Sequence, residues 1–153
     1  MIIMGKIGSN SVAEALNYDI CKNQGEIYEI AAKQGYNMSL FSKQYLNSDF
    51  CNKSFDKIWS LYHFTDAKEC LYEIDKNITI SPNRKSSTIF NSDVAWWIGF
   101  TYKQLQIETG KTSKELSEII PFEELCSCYS GLHTVDEDSA TDEICKKHNL
   151  AKI

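Results

Sequence analysis

Five side chains near the end of the sequence have the chemistry of metal ligands. Thiolates and imidazoles suit zinc, and within 23 residues the chain carries Cys126, Cys128, His133, Cys145 and His148. Structural zinc sites usually pair cysteines separated by two to four residues, whereas a single residue separates the first two here. Residues two apart on a helix also point to different faces. The sequence therefore predicts no metal and no other cofactor, and it leaves zinc binding by these five residues as the open alternative.

A second group of side chains could bind or transform a small molecule. His133 could act as an acid or base or as a binding residue and is followed by Thr134 and Asp136 in the turn-rich run S-G-L-H-T-V-D, and Tyr102 is a further candidate. The same loop residues could equally hold the N-terminus of the next helix. No G-x-S-x-G motif is present, and G-K-T at 110–112 lacks the upstream glycine and the strand of a phosphate-binding loop. The sequence thus predicts no catalytic residue.

Acidic residues are concentrated in the last quarter of the chain. Residues 1–111 carry 12 basic and 12 acidic side chains, whereas residues 112–153 carry 4 and 9, so this quarter holds the whole net charge of −5. Glu137 and Asp138 belong to this excess and are candidate partner-binding residues. Nucleic acid is a disfavoured partner because phosphate binding needs a basic surface. An acidic face suits a basic protein partner, and the alternative is a solvated surface that promotes solubility.

The elements that must position these residues are helices, and the strongest prediction is a helix at about 92–109. Asn91 and Asp93 supply N-cap and helix-dipole chemistry, and Gly110 suits a left-handed C-terminal cap. Apolar residues occupy most of the circumference, which indicates a central, buried helix: Val94, Trp96, Trp97, Ile98, Phe100, Leu105 and Ile107. Gly99 weakens helix propensity, and we expect close approach of another helix to explain it.

The rest of the chain shows further helix signals and few breakers. With 2 prolines, 7 glycines and 42% apolar residues, its 153 residues predict an all-α, single-domain bundle of six to eight helices. We expect an N-terminal helical half at about 9–75, a loop at about 76–91 and a C-terminal helical half at about 92–150. Trp59, Trp96 and Trp97 are predicted in or near the core. Predicted helix starts are Ser11 with Glu14 (a helix that Gly25 ends or bends), Asn37, Asp66, Thr112 with Glu115, and Asp136 or Asp138.

The N-terminus and the cysteines bear on location. The run M-I-I-M-G-K-I-G lacks a basic region followed by a long apolar region, so no secretory signal is expected. No apolar run approaches the roughly 20 residues of a membrane span. Six cysteines in such a chain are expected to be reduced thiols, which predicts a cytoplasmic protein without a membrane partner.

Three motifs carry a resemblance to a known family. W-I-G-F-T-Y-K from Trp97, T-G-K-T-S-K-E-L from Thr109 and G-L-H-T-V-D from Gly131 resemble the W-[IL]-G-[FY]-x-Y, TG-x-x-SKE and HT-x-D motifs of a family of small uncharacterised bacterial all-helical proteins. The run Y-L-N-S-D-F-C from Tyr45 is similar to the same group, so the resemblance covers most of the chain. Members accompany small proteins that resemble ADP-ribosyltransferase toxins. The resemblance implies an accessory or antitoxin-like role and no catalytic residue.

Two functional hypotheses follow, and a nucleic-acid-binding regulator with a helix-turn-helix between 92 and 120 is a third that the charge disfavours. The first is a non-catalytic intracellular protein-interaction module, an antitoxin-like inhibitor of a partner toxin enzyme that uses the acidic C-terminal face. The alternative is a small enzyme or ligand-binding protein that uses the His133-Thr134-x-Asp136 loop. An enzyme would lose turnover when His133 is replaced, whereas an interaction module would keep its affinity for its partner.

Overall fold

The computed structural model describes residues 3–83 and 89–153, with side chains from Val12 onward, and this part of the chain is helical without a strand. The elements in order are α1 (Ile3–Lys33), α2 (Met38–Asn47), a π-helical turn (Cys51–Phe55), a 3₁₀ helix (Leu61–Phe64), α3 (Ala67–Asp75), α4 (Ser92–Thr109), α5 (Ser113–Ile119), α6 (Phe122–Leu132) and α7 (Glu137–Lys147). The predicted all-α bundle around one central helix is confirmed.

Helix α4 is that central helix, and the signals at its ends act as predicted. The Asn91 side chain accepts hydrogen bonds from the backbone N–H groups of Asp93 and Val94, at 2.8 and 3.2 Å. Gly110 has a φ of 73°, in the left-handed region that favours glycine. Nearly all residues from Ala95 to Leu105 are buried, because α1, α5, α6 and α7 pack around this helix.

Two glycines allow α1 and α4 to approach closely. A Cβ atom at Gly99 would lie 2.7 Å from the backbone oxygen of Gln24 and 2.7 Å from the ring of Tyr28. A Cβ atom at Gly25 would lie 2.9 Å from the backbone oxygen of Trp96. At the same crossing the Gln24 amide donates a 2.9 Å hydrogen bond to the Gly99 carbonyl. The expectation that Gly99 serves helix packing is therefore met by a reciprocal contact.

The predicted start of the first helix is wrong. Helix α1 is continuous from Ile3 to Lys33, so it does not begin at the Ser11–Glu14 box, and Gly25 does not end it. The Ser11 side chain lies outside the described residues. Gly25 stays helical because packing against Trp96 outweighs its low propensity of about 1 kcal/mol relative to alanine. Val12 and Leu16, in the first half of this helix, are exposed.

The prediction that Trp59 lies in or near the core is also wrong. After α2 the chain forms the π-helical turn and then an open loop, in which Trp59 is 72% exposed. The Phe55 carbonyl accepts hydrogen bonds from the buried side chains of Lys103 and His63. It is therefore not free to accept the backbone N–H of a further helical turn. Trp97 is buried and Trp96 partly buried, as expected.

The remaining helix starts follow the predicted caps. Asn37 and Asp66 each accept a backbone hydrogen bond at the start of α2 and α3, and Thr112 with Glu115 forms a complete capping box at α5. Asp136, rather than Asp138, caps α7. The described parts of the 76–91 connection carry no helix, and residues 84–88, which include Arg84, lie outside the described residues.

We expect Gly99→Ala to destabilise the protein, because the new methyl group would meet backbone and a buried ring. The free energy of unfolding should fall by about 1–3 kcal/mol, the usual cost of overpacking a core. Urea unfolding measures this. Gly131→Ala is the matched control, since nothing lies within 4 Å of its Cβ position, and it should leave stability unchanged or raise it by up to about 1 kcal/mol. Equal stability of the two variants would contradict the close crossing of α1 and α4.

Candidate functional site

The side chains of His133 and Thr134, in the predicted loop, contact residues of the preceding helical turn. The His133 ring stacks on Tyr129 with centroids 4.0 Å apart and an angle of 5° between the planes, and its Nδ1 hydrogen-bonds to the Tyr129 carbonyl. The Thr134 hydroxyl donates a 2.9 Å hydrogen bond to the Gly131 carbonyl. Both side chains are exposed and continue the end of α6. They do not converge on a pocket with Tyr102.

Tyr102 itself is part of the core. It is 2% exposed, and its hydroxyl donates a 2.6 Å hydrogen bond to the Ile120 carbonyl. Burial raises the pKa of its phenol, so the hydroxyl stays protonated at neutral pH. Tyr102 therefore connects α4 to the end of α5, and its buried side chain is not accessible to a ligand.

Asp136 acts as a helix cap. Its carboxylate accepts hydrogen bonds from the backbone N–H and the hydroxyl of Ser139, at 2.8 and 2.9 Å. These bonds stabilise the charged form and lower the pKa of the Asp136 carboxyl group. The cap fixes where α7 begins and therefore where Glu137 and Asp138 point.

Glu137 and Asp138 face a groove between three helices, which we call the acidic groove. Its volume is about 500 Å³. The lining residues come from α1 (Glu14, Asn17, Tyr18, Cys21), from α4 (Phe100, Gln104, Ile107, Glu108), from α7 (Glu137, Asp138, Asp142) and from the segment after α7 (Lys152). Of the six predicted site residues, the structure brings these two together with charged groups from elsewhere in the chain.

Gln104 organises the acidic side chains at the base of the groove. Its amide donates hydrogen bonds to Asp138 at 2.9 Å and to Glu108 at 3.3 Å. This orientation leaves the Gln104 oxygen, on a residue only 9% exposed, without a hydrogen-bond partner in the described part of the chain. The two carboxylates therefore determine the orientation of the amide, since the reverse orientation would place oxygen against oxygen.

A lysine ammonium already lies in the acidic groove. Lys152 forms ion pairs with Asp142 at 2.5 Å and Glu108 at 3.1 Å, and its Nζ donates to the Thr141 hydroxyl at 3.0 Å. Partial burial lowers the pKa of Lys152, but the hydrogen bonds to the two carboxylates outweigh it and leave the pKa raised. Two of the groove's carboxylates are thus already paired with an internal lysine.

The groove combines this negative charge with an aromatic surface. Five carboxylates and one ammonium line it, which leaves four uncompensated negative charges. The half-exposed ring of Tyr18 packs edge-to-face on the buried ring of Phe100, with centroids 5.4 Å apart, so Tyr18 supplies the exposed aromatic surface. Such a surface can bind the apolar part and the charged end of a basic side chain together, by burial, cation–π attraction and ion pairing.

Sequence reasoning missed most of the groove because its walls are far apart in the chain. Glu14 was interpreted as half of a capping box, and Tyr18 was not considered as a site residue. Residues 14, 18 and 21 do lie on one helical face, which is a signal that the sequence carries. That this face meets α4 and α7 depends on tertiary packing, which no local pattern reveals.

The five possible zinc ligands do not form a cluster. His148 hydrogen-bonds to Glu124 at 2.5 Å, and Cys126 and Cys128 are only partly buried, on α6. Among the residues that the structure describes, no group of three histidine, cysteine or acidic side chains is placed to hold a metal ion.

The buried thiols also lack the properties of nucleophiles. Burial raises the pKa of Cys21 and of Cys51 to about 12, and that of Cys70 to about 11. A thiol with such a pKa is neutral near pH 7, whereas the thiolate is the form that reacts. These three cysteines therefore act as small apolar residues.

The chain is thus an all-α bundle with an open, acidic groove on its surface. Comparison of the chain with protein-family models, with curated proteins and with solved structures gives no match. Within the described residues, no helix combines the length and the apolar character needed to cross a membrane.

The buried thiols predict a loss of stability at alkaline pH. A thiol whose folded-state pKa exceeds its unfolded value of 9.0 stabilises the fold fully below pH 9, and this contribution is lost as pH rises toward 12. Each such thiol steepens the decline by up to about 1.4 kcal/mol per pH unit. Urea unfolding from pH 9 upward should show a shallower decline for Cys51→Ala than for the wild type. Cys128→Ala, which removes a partly buried thiol, should decline nearly as steeply as the wild type, and an equal slope for all three proteins would contradict the burial argument.

Proposed function

We propose that the protein is a non-catalytic protein-interaction module that binds a basic segment of a partner protein in the acidic groove. The observation that carries this proposal is the uncompensated charge of the groove beside the exposed ring of Tyr18. Potentials of opposite sign steer two proteins together and fix their register. The apolar part of the groove adds the burial that charge alone does not provide.

The framework of the groove supports binding without rearrangement. Asp138 and Glu108 are held by Gln104, and Glu108 also accepts a 2.9 Å hydrogen bond from Thr141. Side chains that are already ordered lose less conformational entropy when a partner binds. Glu14 and Glu137 stand at the exposed rim, where a charge acts mainly on the rate of association.

The partner that we propose is a toxin enzyme similar to ADP-ribosyltransferases, and the role is that of an antitoxin-like inhibitor. The family resemblance of the three motifs supports this choice, and the groove supplies a surface that could occlude a basic region of such an enzyme. We propose the cytoplasm as the place where the two proteins meet. The free state of all six cysteines agrees with a reducing compartment.

Site-specific photo-crosslinking tests the proposal. A photoreactive amino acid replaces Glu137 in the groove or, as a control, Glu143, which is exposed on α7 and does not line the groove. Each protein is irradiated in cells that naturally make it, and the attached peptide is identified by mass spectrometry. We expect a lysine- or arginine-rich segment of one partner to be attached from position 137 only.

The identified segment is then synthesised and its affinity measured by calorimetry. Glu14→Lys with Glu137→Lys should weaken binding at least tenfold, because both charges stand at the rim and neither carboxylate has a hydrogen-bond partner among the described side chains. Glu118→Lys with Glu143→Lys, an equal change of charge outside the groove, should bind like the wild type. Equal affinity for the two double variants would overturn the proposal. If the partner is a toxin, the groove variant should also fail to protect cells that express it.

The His133 alternative predicts a different result. We expect His133→Ala to keep wild-type affinity for the identified segment, because the ring stacks on Tyr129 and lies outside the groove. Circular dichroism controls for folding. A folded His133→Ala protein that loses binding would instead support the ligand-binding hypothesis for the 133–136 loop.

A further inference from the structure

The loop at residues 57–64 exposes large apolar side chains that the fold does not use, and we call it the apolar loop. Ile58 is fully exposed, and Trp59 and Leu61 are exposed by about 70%; Phe64 is exposed by half. Contiguous exposed apolar residues of this size mark interaction sites on proteins. Tryptophan in particular is a frequent centre of binding energy at interfaces.

The base of the apolar loop is firmly anchored. The Ser60 hydroxyl accepts a 3.2 Å hydrogen bond from the backbone N–H of Tyr62, and the Asn23 amide of α1 donates to the Tyr62 carbonyl at 2.9 Å. His63 is buried and bonds to the Phe55 carbonyl at 2.8 Å. The exposed tip therefore stands on an ordered base, which lowers the entropy lost on docking.

Charged side chains of both signs lie around the apolar loop. Lys53 and Lys57 are exposed in the segment that leads into it, whereas Asp19, Glu26 and Asp66 border Phe64 at its other end. Asp56, which lies between the two lysines in sequence, turns its carboxylate toward Ser113 and accepts hydrogen bonds from the Ser113 backbone N–H and hydroxyl at 2.9 and 2.5 Å. An occupant that covers the start of the loop should therefore combine an apolar surface with negative charge to face Lys53 and Lys57.

The acidic groove of the same chain has this combination. It offers aromatic and apolar side chains beside four uncompensated negative charges, and the ion pairs of Lys152 show that it holds a lysine ammonium. We propose that the apolar loop of one molecule docks into the acidic groove of a second copy, with Trp59 against the apolar surface and Lys53 and Lys57 at the acidic rim. The inference rests on the proposed function in one respect, that the groove accepts a basic segment.

The positions of the two surfaces make this contact intermolecular. Phe64, at the end of the apolar loop, borders the α1 face formed by Asp19, Asn23 and Glu26, whereas Glu14 and Tyr18 line the groove. At 100° per residue these two faces of α1 lie roughly 130° apart. One molecule can therefore offer loop and groove at once, and the copies associate head to tail. A basic partner segment would compete with this self-association.

Sedimentation of the purified full-length protein over a wide range of concentration tests the proposal. We compare the wild type, a loop variant with Ile58→Ser and Trp59→Ser, and a groove variant with Glu14→Lys and Glu137→Lys. The wild type should self-associate as concentration rises, and less so at high salt. Each variant alone should remain a monomer. An equimolar mixture of the two variants should form a one-to-one dimer, because it restores one intact loop and one intact groove.

Matched variants control for unspecific effects. Leu40→Ser with Tyr72→Ser removes exposed apolar side chains elsewhere, and Glu118→Lys with Glu143→Lys changes charge elsewhere; both should associate like the wild type. A wild type that stays monomeric at every concentration overturns the proposal. So does a groove variant that still dimerises alone, which would show loop-to-loop contact. Binding of the loop to anionic vesicles without self-association would likewise overturn it.

The outcome is independent of the partner experiment. If the purified protein stays monomeric but the crosslinked segment binds in the groove, the self-association fails and the proposed function stands. If the variants complement each other but no partner segment is attached from position 137, the self-association stands and the proposed function fails.

Discussion

The crossing of α1 and α4 at Gly25 and Gly99 is the contact on which the rest of the structure depends. Both glycines meet backbone atoms of the opposite helix, and Gln24 adds a hydrogen bond to the Gly99 carbonyl. Tyr45 donates to the same Gln24 side chain at 2.9 Å, so α2 is attached to this crossing as well. The residues of α1 and α4 that line the acidic groove lie within about three turns of this crossing, so the close approach of the two helices sets their positions.

A buried ammonium is the second constraint. Lys103 is 1% exposed, and burial lowers the pKa of its side chain. Its Nζ donates to the Phe55 carbonyl and, at 2.9 Å, to Gln106. A buried cation is stable only when its donors are satisfied, so α4 requires the carbonyl that the π-helical turn presents. The hydrogen bond between Lys103 and the Phe55 carbonyl thus holds the chain in place just before the apolar loop begins.

The sequence predicts what local chemistry decides. Asn91, Gly110 and the Thr112–Glu115 box mark helix ends through hydrogen bonds to nearby backbone, and each of them acts as expected. The burial of Trp59 was wrongly predicted, because the spacing of aromatic residues does not show whether a helix continues. Here the helical turn ends at Phe55, whose carbonyl accepts a hydrogen bond from Lys103. Of the groove residues, the sequence indicated only Glu137 and Asp138 as site candidates, because most of the other lining residues belong to α1 and α4. Charge composition indicated an acidic surface but not the aromatic residues beside it.

The π-helical turn has a consequence for how this chain can diverge. Its backbone N–H at Asp56 bonds to the Cys51 carbonyl five residues earlier, so the turn holds one residue more than an α-helical turn would. Loss of a single codon within 52–54 would rotate the following chain by about 100° and withdraw the acceptor from Lys103. Codon substitutions at 58, 59 and 61 would alter mainly solvent-facing atoms. Related chains should therefore keep the length of this segment while the identity of its tip drifts, so that binding preference can change without a change of fold.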